Sequence, residues 1–191
     1  NKNLYILNGP NLNLLGKREP QKYGRTSLED VKIQCDNHCI RNNLKLHFFQ
    51  SNFEGELIEE IHKAINDACG IIINAGALTH TSIGILDALN MFEGPKIEVH
   101  ITNVYARESF RHKSFISPSA TGIIAGLGIN SYILAIDAVK KLIKEVPSLA
   151  NIIELHFQGS PIEPYLPLIN QLDLGELVHD HGYVPHNEAI L

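Results

Sequence analysis

The run Gly70-Ile71-Ile72-Ile73-Asn74 is apolar without interruption, the pattern of a strand covered on both faces rather than one washed by solvent on alternate residues. Leu4-Tyr5-Ile6-Leu7 repeats it and stops at the turn Asn8-Gly9-Pro10. Leu44 to Phe49, Lys96 to His100 and Thr121 to Gly126 supply three further strand-like runs. Between them apolar residues recur at helical spacing. Thr26-Ser27-Leu28-Glu29 opens a helix whose stripe is Val31, Cys35 and Cys39. Ser51-Asn52-Phe53-Glu54 opens another, with Leu57, Ile58, Ile61 and Ile65 at helical spacing. A third helix is expected from about Ser82 to Phe92, stopped by Glu93-Gly94-Pro95, and a last one over residues 130–145. Strands and crossover helices that alternate in this way require a parallel sheet wrapped on both faces.

The expected fold is therefore α/β: a flavodoxin-like, doubly wound, five-stranded parallel sheet of order 2-1-3-4-5. Two compositional regimes meet near Pro147. Residues 147–191 hold six acids, five of the nine prolines and no Lys or Arg, whereas the first 146 residues hold 16 basic and 15 acidic side chains. We read residues 1–146 as a catalytic domain and 147–191 as an acidic extension of unknown role. The net charge of −5 and the lack of a basic run argue against nucleic acid. No apolar stretch approaches the roughly 18 residues of a membrane span. No signal peptide is expected before the first strand. Three cysteines, Cys35, Cys39 and Cys69, predict reduced thiols packed in a core and a cytoplasmic location.

In such folds ligands bind beyond the carboxyl ends of the strands, so the residues that follow each strand are the candidates. After the first come Asn8, Asn11, Asn13, Arg18 and Tyr23; after the third, Asn74, Thr79, His80, Thr81 and Ser82; at the end of the fourth, Glu98, His100, Thr102, Asn103, Arg107 and Arg111. This set offers an acid/base, a carboxylate, arginines and amides. It has no Ser/His/Asp order, phosphate loop or metal motif. Residues alone reach an acid–base enzyme for a small, oxygen-rich anion.

Three blocks say more. Asn8-Gly9-Pro10-Asn11-Leu12-Asn13-Leu14-Leu15-Gly16 with Arg18-Glu19-Pro20 and Tyr23-Gly24 resembles the opening signature of the type II dehydroquinases. Asn74-Ala75-Gly76-Ala77 with Thr79-His80-Thr81-Ser82 resembles their second block, and Glu98-Val99-His100-Ile101-Thr102-Asn103 with Ala106-Arg107-Glu108 and Phe110-Arg111 their third. The resemblance covers roughly residues 3–145. It implies a cofactor-free lyase that dehydrates 3-dehydroquinate to 3-dehydroshikimate through an enolate, in the shikimate pathway of aromatic amino-acid biosynthesis. It implies Tyr23 as the base, with Arg18 stabilising tyrosinate, since an ordinary tyrosine titrates near about 10. Asn11 would hold a water against the enolate oxygen. His100 would protonate the departing hydroxyl, with Glu98, of the same strand parity, fixing its tautomer. Asn74, His80 and Arg111 would bind substrate hydroxyls, and the backbone N–H groups of Ile101 and Thr102 the carboxylate. Asp87 would reach the base region of a neighbouring subunit in a trimer, four trimers forming a dodecamer. No metal and no cofactor are expected.

Each of these residues also has a bland reading. Tyr23 and Arg18 would be ordinary loop residues, His80 a helix cap, Glu98 and His100 a polar pair, Arg107 a structural or interface salt bridge, and Asn8 a turn residue. The alternative functions are a non-catalytic flavodoxin-like binding module, or another lyase or hydrolase on this fold. A Schiff-base mechanism is disfavoured, because Lys17 and Lys22 are the only lysines within the matched blocks and both lie on the loop. Asn130-Ser131-Tyr132, where the family usually has a glycine before the aromatic residue, falls in the last helix and is expected to stay clear of the chemistry. In the extension, residues 170–178 suggest a short helical turn. His179-Asp180-His181 with His186 is a weak metal signal set aside in favour of a solvated segment. The extension is expected to dock on the core or on a neighbouring subunit without a part in catalysis.

Overall fold

A computed structural model describes residues 2–17 and 26–145, together with two short strands at 155–157 and 178–180. The chain divides into two compact units, Asn1–Ile143 and Lys144–Leu191. The first contains a five-stranded, all-parallel sheet of β1 (Lys2–Asn8), β2 (Leu44–Gln50), β3 (Ala68–Asn74), β4 (Lys96–His100) and β5 (Gly122–Ala125) in the order β2-β1-β3-β4-β5. The expected α/β class and strand order are those found. The helices are α1 (Leu28–Arg41), α2 (Glu54–Asp67), α3 (Ile83–Asn90) and α4 (Asn130–Glu145).

The alternation of side chains along β1 divides the core. Leu4 and Ile6 face one way, with Val31, Cys35 and Cys39 of α1 and Tyr132, Ile136 and Val139 of α4. Tyr5 and Leu7 face the other, with Leu57 and Ile61 of α2 and Ile85 and Leu89 of α3. Both layers are built from buried side chains, which is why β1 from Leu4 to Leu7 and β3 from Ala68 to Ile73 carry no charged or amide residue. Cys35 and Cys39 are free thiols within the first layer, each pushed up to about 12, chiefly by burial.

Local chemistry sets the helix starts. Ser27 caps α1 through a capping box: its Oγ accepts from Asp30 N–H, and the Asp30 carboxylate accepts from Ser27 N–H at 2.9 Å. Ahead of α2, Ser51 Oγ accepts from Phe53 N–H at 2.9 Å and donates to Glu56. Ser82 caps α3 by accepting from Ile85 N–H at 2.8 Å. Among the described residues no helix is long and apolar enough to cross a membrane.

In the second unit Leu155–Phe157 (β6) and Val178–Asp180 (β7) pair in parallel. The helical turn read over residues 170–178 therefore does not include Val178, which opens a strand; residues 170–177 lie outside the described residues. So do His181 and His186, while His179 and Asp180 belong to β7.

Candidate active site

The strands end on one edge, and the loops leaving them interlock there. Gly9 N–H donates to the carbonyl of Asn74 at 2.8 Å, tying the turn after β1 to the end of β3. A Cβ on Gly9 would lie 2.2 Å from the Ala75 carbonyl oxygen, so only glycine fits. Gly76, at φ +58°, closes the same contact from the other side. Asn11 follows in the left-handed region, φ 68°, its N–H donating to Asn52 Oδ1 at 2.9 Å, and starts a 3₁₀ turn, Leu12–Leu14.

Over these turns lies a cleft of about 180 Å³. It is lined by Pro10, Asn11, Leu12, Leu14 and Leu15 after β1; by Asn74, Gly76, Ala77 and His80 after β3; and by His100, Ile101, Thr102, Val104, Arg107 and Arg111 at and after β4. Seven of the residues singled out in the sequence thus share one wall or another: Asn11, Asn74, His80, His100, Ile101, Thr102 and Arg111. Arg107, left open between structure and function, shares the cleft too and lies 3.5 Å from Glu108. Asp87 is exposed on α3 and is not among the residues that line the cleft of its own chain. Tyr23 and Arg18 lie outside the described residues.

Glu98 stands directly behind His100. Its carboxylate accepts from His100 Nε2–H at 2.6 Å, and both residues are buried. Burial alone would raise the Glu98 carboxyl; the hydrogen bonds from His100 and Ser117 outweigh it and hold the group below the usual carboxylate range. With Nε2 engaged, Nδ1 is the nitrogen left for a ligand. His80 is fixed in the opposite sense: Nδ1 lies 2.8 Å from the carbonyl of Lys113, which can only accept, so Nδ1 carries a proton and Nε2 is left for the cleft. Arg111 Nε donates to Glu108 at 3.0 Å, and its guanidinium lies over the Phe110 ring.

Residues not singled out also hold the site. Ser114 and Ser117 donate to Glu98. A buried carboxylate demands such donors, yet nothing in the spacing says which hydroxyls arrive. Tyr132 corrects an expectation. Its helix is where it was read, but its buried hydroxyl donates to Asn8 Oδ1 at 2.7 Å and accepts from Asn74 Nδ2 at 2.8 Å. It thus meets a cleft residue directly, and Asn8 is a buried bridge rather than only a turn residue. The neighbouring Ser131 donates to the carbonyl of His100 at 3.2 Å.

Fold and cleft together define an α/β protein with a polar cleft at the carboxyl ends of a parallel sheet, one of its imidazoles backed by a buried carboxylate. The chain belongs to the class II dehydroquinase family: residues 2–140 match the family described as Dehydroquinase class II. It is 53% identical over 139 residues to the 3-dehydroquinate dehydratase of Cereibacter sphaeroides, covering 73% of this chain and 95% of that one. It is 56% identical over 131 residues to 3-dehydroquinate dehydratase 2 of Agrobacterium fabrum, covering 69% and 89%. Among solved structures, the type II dehydroquinase from Butyrivibrio crossotus superposes with a TM-score of 0.71 at 43% identity, covering 72% of this chain and 97% of that one. The type II dehydroquinase from Propionibacterium acnes gives 0.72 at 41%, covering 74% and 97%.

Proposed function

We infer that this chain is a type II dehydroquinase, a lyase that removes water from 3-dehydroquinate to give 3-dehydroshikimate, the reaction of the shikimate pathway. The observation that carries the reading is the buried Glu98–His100 pair, 2.6 Å apart, facing a cleft that also holds Asn11, Asn74, His80 and Arg111 in a chain of this family.

In the proposed mechanism Tyr23 takes the proton alpha to the ketone, with Arg18 favouring the tyrosinate by its fixed charge. The electron pair of that C–H bond moves toward the ketone, and the enolate oxygen is stabilised by a water held by Asn11. The enolate then collapses, the carbon–oxygen bond at the beta position breaks, and His100 gives its Nδ1 proton to the departing hydroxyl, which leaves as water. Glu98 supports the imidazolium. Asn74, His80 and Arg111 orient the substrate's hydroxyls, and the backbone N–H groups of Ile101 and Thr102 receive its carboxylate. Assembly into trimers and a dodecamer, with Asp87 serving a neighbour's site, and a cytoplasmic location belong to the same proposal.

The test is the ultraviolet absorbance of the conjugated enone product after 3-dehydroquinate is added to the purified chain. A steady rise is expected without added metal or nucleotide. No product at micromolar enzyme would overturn the reading in favour of a binding module.

A further inference from the structure

The Glu98 carboxylate is surrounded by donors. Besides His100 Nε2, Ser114 Oγ lies 3.0 Å from Oε1 and 3.2 Å from Oε2, and Ser117 Oγ lies 2.5 Å from Oε2. The direction of the Ser114 bond follows from its other contacts. Its oxygen already accepts the N–H groups of Ile116 at 3.1 Å and Ser117 at 3.0 Å, so its proton is free only for Glu98. Both carboxylate oxygens therefore face donors, and with the carboxylate ionised each of these contacts is satisfied. Glu98 is held as an acceptor-only group, and the ring nitrogen facing it must carry a hydrogen.

The same short segment reaches the second imidazole. Lys113 supplies the carbonyl that fixes His80 Nδ1–H at 2.8 Å. The segment is itself pinned: Phe115 N–H donates to the carbonyl of Thr79 at 2.9 Å, and Ile116 is fully buried in the core layer of α2 and α3. Residues 113–117 thus present opposite ring nitrogens of His80 and His100 to one cleft.

We propose that Ser114 and Ser117 are positioning residues of the dehydration: their hydroxyls hold Glu98 as an acceptor, and this fixes His100 with Nε2 protonated and Nδ1 toward the substrate. The kinetic part of this inference rests on the dehydratase reading; the tautomer does not. His100 is the titratable group in contact with Glu98, while His80, Arg107 and Arg111 share the cleft from the turn after β3 and the loop after β4.

Ser117→Ala in the full chain is the cleaner probe, because the Ser117 hydroxyl contacts Glu98 while Ser114 also supports its turn. Losing one charge-assisted donor makes the carboxylate easier to protonate. The acidic limb of the rate profile should move up by about one pH unit, and turnover at neutral pH should fall about tenfold with little change in KM. Ser117→Thr, which keeps the hydroxyl, should restore the wild-type profile. Nitrogen-15 spectra of the histidine rings without substrate should show Nε2–H at His100, and the Ser117→Ala protein should show the same upward shift in the acid-side titration. Superimposable rate profiles and ring titrations for wild type and Ser117→Ala, or a proton on Nδ1 instead of Nε2 of neutral His100, would overturn the proposal. Should Ser117→Ala not fold, Ser114→Ala is read by the same two measurements. If the wild type yields no enone, the dehydratase reading falls, and the ring spectra still decide the role of the serines.

Discussion

At the scale of single residues, two groups divide the proposed proton transfers, and each makes a separate prediction. Tyr23→Phe removes the proton acceptor and leaves the ring. Turnover should drop by about 10²–10⁴ with a smaller effect on substrate binding; near wild-type turnover would exclude Tyr23 as the base. His100→Ala should slow loss of the hydroxyl, a defect that shrinks for a substrate with a better leaving group. Glu98 links the acid to pH. Its carboxyl is held below the usual range by His100 and the serines against the opposing effect of burial. A depressed carboxyl contributes stability above its unfolded value of about 4.3 and loses it as pH falls through the folded value. Glu98→Gln should therefore shift the acidic limb of the rate profile, and its thermal midpoint should fall less between pH 6 and pH 3 than that of the wild type. Equal acid sensitivity in calorimetry would show that Glu98 is not the group responsible.

At the scale of elements, the site depends on how β1, β3 and α4 meet. The Tyr132 hydroxyl bridges Asn8 and Asn74, both buried at strand ends, and Asn8 Nδ2 donates onward to the carbonyl of Phe49 in β2. Tyr132→Phe leaves two buried amides short of a partner. It should cost about 1–3 kcal/mol in denaturant unfolding, and because Asn74 lines the cleft it should also raise KM. A stability loss with unchanged KM would confine the tyrosine to the core. This contact was not legible in the sequence, although the helix carrying it was. The 3.6-residue period places Tyr132 on the apolar face with Ile136 and Val139. Which strand-end amide its hydroxyl meets depends on a separation of 124 residues to Asn8 and 58 to Asn74, which no local pattern encodes.

At the scale of the whole molecule, predictions concern assembly and the extension. A trimer or a multiple of it is expected by light scattering at micromolar concentration; a monomer with full activity would remove Asp87 from the proposed site. Truncation after Glu145 should leave turnover largely intact while lowering thermal stability or changing the assembly. An intact oligomer without turnover would make the extension part of the active site. Activity should survive chelator, and borohydride with substrate should leave the protein unmodified, because no imine forms.

By itself the sequence determined the sheet, its order and the edge on which the cleft lies. Unbroken apolar strands joined by amphipathic helices have few ways to bury their side chains, and the polar residues follow the strands. The type II blocks also named Asn11, Asn74, His80, His100, Ile101, Thr102 and Arg111, which meet in the cleft from three separate loops. Only the tertiary structure decided which nitrogen of His100 and of His80 is left for a ligand, because a tautomer is set by the acceptor that a folded neighbour brings. That acceptor is the Glu98 carboxylate for one ring and the Lys113 carbonyl, 33 residues away in the chain, for the other.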